Sequence, residues 1–149
     1  MTTVSAILAG KGREIVSIEP NASLASAVAR LAEKRIGAVL ILGADSRIVG
    51  ILSERDIVRA LAERGSAALG EPVSQTMTRK VSTCSESETV ASIMERMTEG
   101  KFRHMPVLDK GRLAGVVSNR DLLKWHFETI REHLHQLEAS IAEFELMRI

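Results

Sequence analysis

The sequence predicts an α/β protein of the α+β type, in which one strand–helix–hairpin–helix unit occurs twice before a further helix. Two observations lead to this prediction. The pattern Gly, two aliphatic residues, Ser, a polar residue, Arg, Asp occurs at Gly50–Asp56 and again at Gly115–Asp121. Each copy comes after a stretch in which apolar residues have helical spacing, and it overlaps the second of two short apolar runs. A chain of 149 residues with 45% hydrophobic content can bury a core.

The first strand and first helix of each unit come from matching stretches. A short aliphatic stretch ends at Ser17 in the first unit and at Thr83 in the second. An apolar stripe with helical spacing follows it, preceded by capping residues and followed closely by Gly37 or Gly100. The stripes are Leu24, Val28 and Leu31 in the first unit, and Val90, Met94 and Met97 in the second.

A hairpin and a second helix complete each unit. The paired apolar runs are 38–42 with 47–53, and 105–108 with 112–118, separated by polar turn residues. Ser53 and Ser118 then open the second helices.

The domain limits follow from this repetition. The first repeat is predicted at 1–66 and the second at 73–130, with a linker of small residues between them and a C-terminal helical extension at 131–149. The lead-ins at 4–8 and 73–77 also match each other. The tail carries an a/d pattern from Ile130 to Phe144, which indicates either a helix packed on its own domain or a self-association helix.

Composition argues against several functions. A net charge of +1 and an aromatic content of 3% disfavour nucleic-acid binding. No apolar stretch is long enough to span a membrane, and the first residues do not resemble a signal peptide. The single cysteine, Cys84, allows no internal disulfide and suggests no zinc site. We therefore expect a cytoplasmic protein with no membrane or nucleic-acid partner and no required metal.

The repeated motif has two chemical interpretations. Ser53 with Asp56, and Ser118 with Asp121, have the spacing of capping boxes at a helix start. The same geometry suits a nucleotide. A helix N-terminus and the adjacent arginine attract phosphate, the Asp can accept hydrogen bonds from a ribose diol, and nearby aliphatic residues can contact a base.

The duplicated motif, placed after a hairpin and opening a helix, resembles the CBS domain, named after cystathionine β-synthase. The stretch 102–107 also resembles that family. The resemblance covers about 4–129 and implies a pseudo-two-fold module of two CBS repeats that binds an adenosine-containing ligand: AMP, ADP, ATP, NAD(H) or S-adenosylmethionine.

The resemblance also implies roles for individual residues. Asp56 and Asp121 would hold the ribose, and Ser17 and Thr83 would lie beside the ligand. Four motif residues would lie near phosphate: Ser53, Arg55, Ser118 and Arg120. The remaining predicted binding positions differ between the halves, so we expect two inequivalent sites; these positions are Ala38 in the first half, and Arg103, His104, Met105 and Pro106 in the second.

Several candidate residues have a second possible role. Arg103 and His104 could be ordinary surface residues. Lys11 and Arg13 lack the spacing of a P-loop and are either a solvated basic loop or phosphate neighbours. Cys84 is expected to be a small buried residue, because no base is identifiable for a catalytic thiol.

The functional prediction is a non-enzymatic regulatory module that binds an adenine nucleotide, with AMP as the leading ligand and NAD(H) or ATP as others. It would be a homodimer that signals to an effector protein through its conformation. The alternative is a ligand-independent dimerisation or adaptor protein. A thiol-dependent enzyme is a third hypothesis.

Overall fold

The computed structural model describes residues 2–148, which form two compact units. One unit comprises Glu14–Thr83. The other, called here the composite unit, combines the segment before Glu14 with the segment from Cys84 onward. In chain order the elements are α1 (Val4–Lys11), β1 (Ser17–Ile18), α2 (Leu24–Lys34), β2 (Ala38–Leu42), β3 (Ile48–Ser53), α3 (Glu54–Arg64), β4 (Cys84–Ser85), α4 (Val90–Gly100), β5 (His104–Asp109), β6 (Arg112–Ser118) and α5 (Asn119–Met147).

The Glu14–Thr83 unit contains a three-stranded sheet in the order β1-β2-β3. The β1 and β2 strands are parallel, with Ser17 opposite Leu40. The β2 and β3 strands form the predicted hairpin, in which Ala38 lies opposite Ser53. Helices and sheet bury one apolar cluster, made of Leu24, Ala27, Leu31, Val39, Ile41, Leu52, Ile57, Ala60, Ala68, Val73 and Met77.

The composite unit repeats this topology with the sheet order β4-β5-β6. Its hairpin pairs His104 with Ser118, and β4 runs parallel to β5. Its cluster contains Val4, Ile7, Leu8, Cys84, Val90, Ile93, Met97, Met105, Val107, Val117 and Leu122. The predicted α+β class and the two strand–helix–hairpin–helix repeats are thus confirmed, with helix α5 following the second hairpin.

The lead-in segments are exchanged between the units. The α1 helix precedes the first repeat in sequence but packs on β6 and α5 of the composite unit. Val73 and Met77 precede the second repeat but belong to the core of the Glu14–Thr83 unit. The predicted ranges 1–66 and 73–130 describe the sequence repeats, whereas each compact unit contains the lead-in that precedes the other repeat.

The motif glycines explain how the lead-ins can lie so close to the sheets. A Cβ atom added to Gly115 would lie 2.9 Å from Leu8 Cδ2. At Gly50 it would lie 2.5 Å from Met77 Sδ and 3.0 Å from the carbonyl oxygen of Thr78. The glycine of the repeated motif is therefore required by packing.

The first strand of each sheet is shorter than predicted and begins later. Strand β1 starts at Ser17, and the N–H of Leu40 in β2 donates to the carbonyl of Val16 at 3.2 Å. The corresponding residue in β5 is Pro106, which has no N–H to donate. Pairing with β4 accordingly begins at Cys84, one residue beyond the predicted Thr83.

The first helices end at or shortly before the expected glycines, since α2 ends at Lys34 and α4 at Gly100. Arg35 caps α2 with φ 54°, and Lys101 caps α4 with φ 56°. Both caps adopt the left-handed conformation, although neither is a glycine. Gly100 is the last residue of α4, where an added Cβ would collide with the ring of Phe102.

The C-terminal extension continues the second helix of the second repeat. Helix α5 runs for 29 residues without interruption, so no boundary separates 130 from 131. Every described residue from 131 onward is exposed. The tail is therefore not packed against its own unit. Within residues 2–148, no helix combines the length and apolar character needed to cross a membrane.

Candidate functional site

The two hairpins each present one face to a core and the other face away from it. Val39 and Ile41 in β2 belong to the core of the Glu14–Thr83 unit. Met105 and Val107 do the same in β5, so alternation places His104 on the opposite face. Met105 is 0% exposed and its side chain belongs to that core, while its role as a ligand contact stays a prediction.

Both motifs form capping boxes at the start of the following helix. Ser53 Oγ accepts from the N–H of Asp56 at 3.2 Å, and Asp56 Oδ2 accepts from the N–H of Ser53 at 3.0 Å. Ser118 and Asp121 make the same two bonds at 3.2 and 2.8 Å. The capping interpretation is thus confirmed, and it fixes the position of each Asp carboxylate.

Capping also limits what the helix N-termini can offer a phosphate. The N–H of Glu54 donates to the carbonyl of Gly37 at 3.0 Å, and the N–H of Asn119 donates to the carbonyl of Arg103 at 2.7 Å. With the capping bonds, these interactions use the first and third backbone donors of α3 and α5. Arg55 and Arg120, in the first turns of these helices, have exposed side chains.

Asp121 is paired with a cation from the exchanged lead-in. Lys11 Nζ lies 2.6 Å from Asp121 Oδ2 and 2.7 Å from the carbonyl oxygen of Val116. Burial acts to raise the pKa of Asp121, but the hydrogen bonds from Lys11 and Ser118 and the charge of Lys11 outweigh it. The pKa of Asp121 is lowered below its ordinary value of 3.8, so this carboxylate is ionised at neutral pH.

Asp56 has a different neighbour at the equivalent place. Thr78 Oγ1 lies 3.3 Å from Asp56 Oδ1 and 3.4 Å from Oδ2. The backbone N–H of Thr78 donates to the carbonyl of Ile51 at 2.8 Å. Thr78 thus contacts Asp56 with its hydroxyl and the carbonyl of Ile51 with its amide. In the composite unit, the equivalent acceptors are Asp121 and the carbonyl of Val116, and the single ammonium group of Lys11 donates to both.

The remaining predicted residues lie at the same end of their own sheets. In the Glu14–Thr83 unit these are Ser17 at the start of β1, Ala38 at the start of β2, Ser53 at the end of β3, and Arg55 in the first turn of α3. In the composite unit they are Arg103 before β5, His104 and Pro106 within β5, Ser118 at the end of β6, and Arg120 in the first turn of α5. Thr83 is the last residue of the Glu14–Thr83 unit and directly precedes β4 in sequence. Arg103 and Arg120 are exposed, whereas His104 and Ser118 are half-buried cross-strand neighbours.

Sequence reasoning missed the roles of Lys11 and Thr78. Lys11 was expected in a solvated loop or beside a phosphate, and it pairs with Asp121 instead. Arg13 likewise pairs with Glu86 at 2.5 Å. The matching lead-ins were visible in the sequence, but their exchange between the units was not, so no signal connected Lys11 with the second motif.

Cys84 is buried within the composite unit. Burial, and then the charge of Glu88, raise the pKa of its thiol to about 11. The thiol lies 3.8 Å from the carbonyl oxygen of Pro106. Such a thiol is protonated at neutral pH and unsuited to nucleophilic attack. Across residues 2–148, no group of three or more metal-ligating side chains is assembled.

Comparison with known proteins explains the shared geometry of the two motifs. The chain matches the CBS domain twice, over residues 11–63 and 73–128. It belongs to the CBS-domain family. The resemblance carried by the duplicated Gly50–Asp56 and Gly115–Asp121 motifs is confirmed.

Solved CBS structures resemble this one along most of its length. A CBS-domain protein from Agrobacterium tumefaciens is 43% identical, with a TM-score of 0.81 over 83% of this chain and 92% of that one. A CBS domain protein from Pyrobaculum aerophilum, complexed with AMP, is 31% identical, with a TM-score of 0.70 over 80% and 88%. The CBS domain pair of protein MJ0100, in complex with 5′-methylthioadenosine and S-adenosylmethionine, is 26% identical, with a TM-score of 0.77 over 87% and 98%.

Proposed function

We propose that this CBS pair is a cytoplasmic regulatory module, without catalytic activity of its own, that binds an adenosine-containing ligand. AMP is the leading ligand, and ADP, ATP and NAD(H) are the others. No metal is required for binding. Occupancy would shift the conformation of the pair, and an effector protein would respond to that shift.

The observation that carries this proposal is the state of the Asp121 carboxylate. Its Oδ2 atom is held by Ser118 and Lys11, and within residues 2–148 no hydrogen bond reaches Oδ1. An ionised carboxylate with one engaged and one available oxygen is a rigid acceptor for ribose hydroxyls. At Asp56, by contrast, Thr78 approaches both oxygens. We therefore expect tighter binding at the composite unit.

The charges around the two motifs support the same order of affinity. The composite unit presents exposed Arg103 and Arg120 at the end of its sheet where Ser118 caps α5. At the equivalent positions the other unit has Gly37 and Arg55. Two guanidinium groups suit a phosphate-bearing ligand better than one. A phosphorylated nucleoside is therefore expected to prefer the composite unit.

The relatives narrow the ligand class without naming the ligand. AMP and S-adenosylmethionine share an adenosine group and differ at the 5′ position. An Asp that binds the ribose diol would recognise this shared part. The arginines would then distinguish a 5′-phosphate from an uncharged 5′ substituent. This division of roles favours AMP over 5′-methylthioadenosine for the present chain.

The test is thermal unfolding of the purified full chain with AMP, ATP, NAD⁺, NADH, S-adenosylmethionine and 5′-methylthioadenosine in turn. A ligand at about 100 times its dissociation constant stabilises the native state by about 2.7 kcal/mol, which is readily measured. The shift should be abolished in Asp121→Asn and reduced less in Asp56→Asn. Asp109→Asn, an exposed carboxylate in the second hairpin, is the matched control and should retain it.

No shift with any compound at millimolar concentration, from protein purified free of nucleotide, would reject the sensor function. The ligand-independent adaptor would then be the better description. The exposed apolar face of α5 favours that second candidate, since it offers an interaction surface that needs no ligand.

A further inference from the structure

Helix α5 carries a stripe of seven large apolar side chains that are exposed to solvent. Their spacing alternates between four and three residues, as in the a and d positions of a coiled coil. Their exposed fractions lie between 42% and 68%. The stripe, called here the α5 seam, consists of Leu123, Phe127, Ile130, Leu134, Leu137, Ile141 and Phe144. Its first two residues, Leu123 and Phe127, precede the tail pattern recognised from sequence, which begins at Ile130.

One flank of the α5 seam changes sign along the helix. The e positions beside the seam are Lys124, Arg131, Glu138 and Glu145, so the first two are basic and the last two acidic. The opposite flank contains His126, His133, Ser140 and Met147 and has no such order. Within residues 2–148, the one ion pair made by these four e-position charges joins Glu138 to His135 of the same helix, at 3.9 Å.

We propose that a second copy of this chain covers the α5 seam, with the two helices antiparallel and Leu134 of one opposite Leu137 of the other. In this register Phe127 faces Phe144, and Ile130 faces Ile141. Antiparallel pairing brings e positions together across the interface. Arg131 then meets Glu138 of the second copy, and Lys124 meets Glu145. The two-fold relation makes each of these pairs twice.

Other arrangements of the same seam are electrostatically worse. Sliding the antiparallel pair by one heptad in one direction places Arg131 against Arg131 of the second copy. Sliding it in the other direction places Glu138 against Glu138. A parallel dimer pairs e with g positions, which brings Arg131 to His126 and leaves Lys124 and Glu145 without opposite charges. Opposite charges at facing positions set the orientation and register of such helices.

The first test is a charge-reversal cycle on the full chain, with the dimer dissociation constant measured by sedimentation. Arg131→Glu and Glu138→Arg should each raise it about tenfold, because each replaces two attractive pairs with two repulsive ones. The double variant should return close to wild type. Residues 131 and 138 are about 10 Å apart along one helix, so this rescue reports contact between copies. Glu132→Arg, a reversal on the outward face of α5, is the matched control and should leave the constant unchanged.

The second test measures orientation directly. A spin label on Leu146, at an outward position of α5, should lie about 30 Å from its counterpart in the antiparallel dimer. In a parallel dimer the two labels would be about 10–15 Å apart. The proposal fails if the wild-type chain stays monomeric at 100 µM, if the single reversals have no effect, if the double variant is not rescued, or if the labels are close together. The outcome does not depend on ligand binding, because none of these residues belongs to the proposed nucleotide site.

Discussion

Lys11→Met should destabilise the composite unit even though Lys11 is a partly exposed residue at a helix end. Its ammonium group makes two short hydrogen bonds, to the carboxylate of Asp121 and to the carbonyl oxygen of Val116. Met keeps most of the aliphatic stem and removes only the charge and the donors. Hydrogen bonds to charged groups contribute about 1.5–3 kcal/mol.

Solvent screening reduces that figure, because the side chains of Lys11 and Asp121 are 35% and 21% exposed. The expected loss in the free energy of unfolding is therefore about 1–2 kcal/mol at pH 7. For a chain of this size, that corresponds to a fall in Tm of about 2–8 °C. Equilibrium denaturation in urea, with Tm as a second measure, gives the difference directly.

The pH dependence identifies the source of the effect. The pKa of Asp121 is lower in the folded state than its ordinary value of 3.8, so its contribution to stability is present above that value. The contribution is lost as the pH falls through the folded-state pKa. The difference in the free energy of unfolding between wild type and Lys11→Met should therefore narrow below about pH 4. What remains there is the smaller contribution of the hydrogen bond from Lys11 to the carbonyl of Val116.

Lys80→Met is the matched control, because Lys80 has the same position in the second lead-in and, within the described chain, no hydrogen bond or ion pair. It should leave stability unchanged within about 0.5 kcal/mol. The ion-pair explanation would be refuted if both variants lost the same free energy of unfolding. It would also be refuted if the loss in Lys11→Met stayed unchanged at acid pH.

Three further predictions concern packing, reactivity and capping. Gly115→Ala should lower stability by about 1–3 kcal/mol, because its Cβ would press on Leu8, whereas Gly10→Ala meets no atom within 4 Å and should be neutral or stabilising in the same denaturation assay. Cys84 should react with a thiol reagent only after denaturation, since burial raises its pKa to about 11; rapid labelling of the native protein would contradict this. Ser53→Ala should cost about 1 kcal/mol by loss of the helix cap, and an unchanged urea midpoint would show that Asp56 caps the helix alone.

The repeated elements were predictable from sequence wherever local pattern decides structure. The run 38–42 became β2 and the run 112–118 became β6, because apolar segments bounded by turn residues pair as hairpins. The helix starts at Ser53 and Ser118 were also correct, since a hydroxyl followed three residues later by Asp satisfies the first amides locally.

Features that depend on distant residues were not predictable in the same way. The late start of β4 depends on Pro106, which is remote in sequence and lacks the donor needed for an earlier pairing. The partner of Asp121 lies more than a hundred residues before it, in α1. Arg35 and Lys101 adopt the left-handed conformation at the helix ends, which residue preference alone does not predict.

At the site, sequence reasoning placed the motif residues at one end of each sheet but misjudged individual surroundings. Met105 was named as a binding position through the family resemblance of the stretch 102–107, and strand alternation places its side chain in the core. Arg13 was expected in a solvated loop or beside a phosphate; it is exposed and lies in a loop, and its pairing with Glu86 was not foreseen. The inequivalence of the two halves was expected, and the neighbours of the motif aspartates differ accordingly.

The exchange of lead-ins suggests how such a chain could arise. In the present chain, the lead-in that precedes each repeat covers the sheet of the other repeat. Two identical single-repeat chains could satisfy each other by donating lead-ins reciprocally, which is domain swapping. Joining two such copies end to end would preserve every one of those contacts. The present chain has the connectivity expected of a swapped dimer that became a single polypeptide, so separating its halves should yield fragments that recover their structure only together.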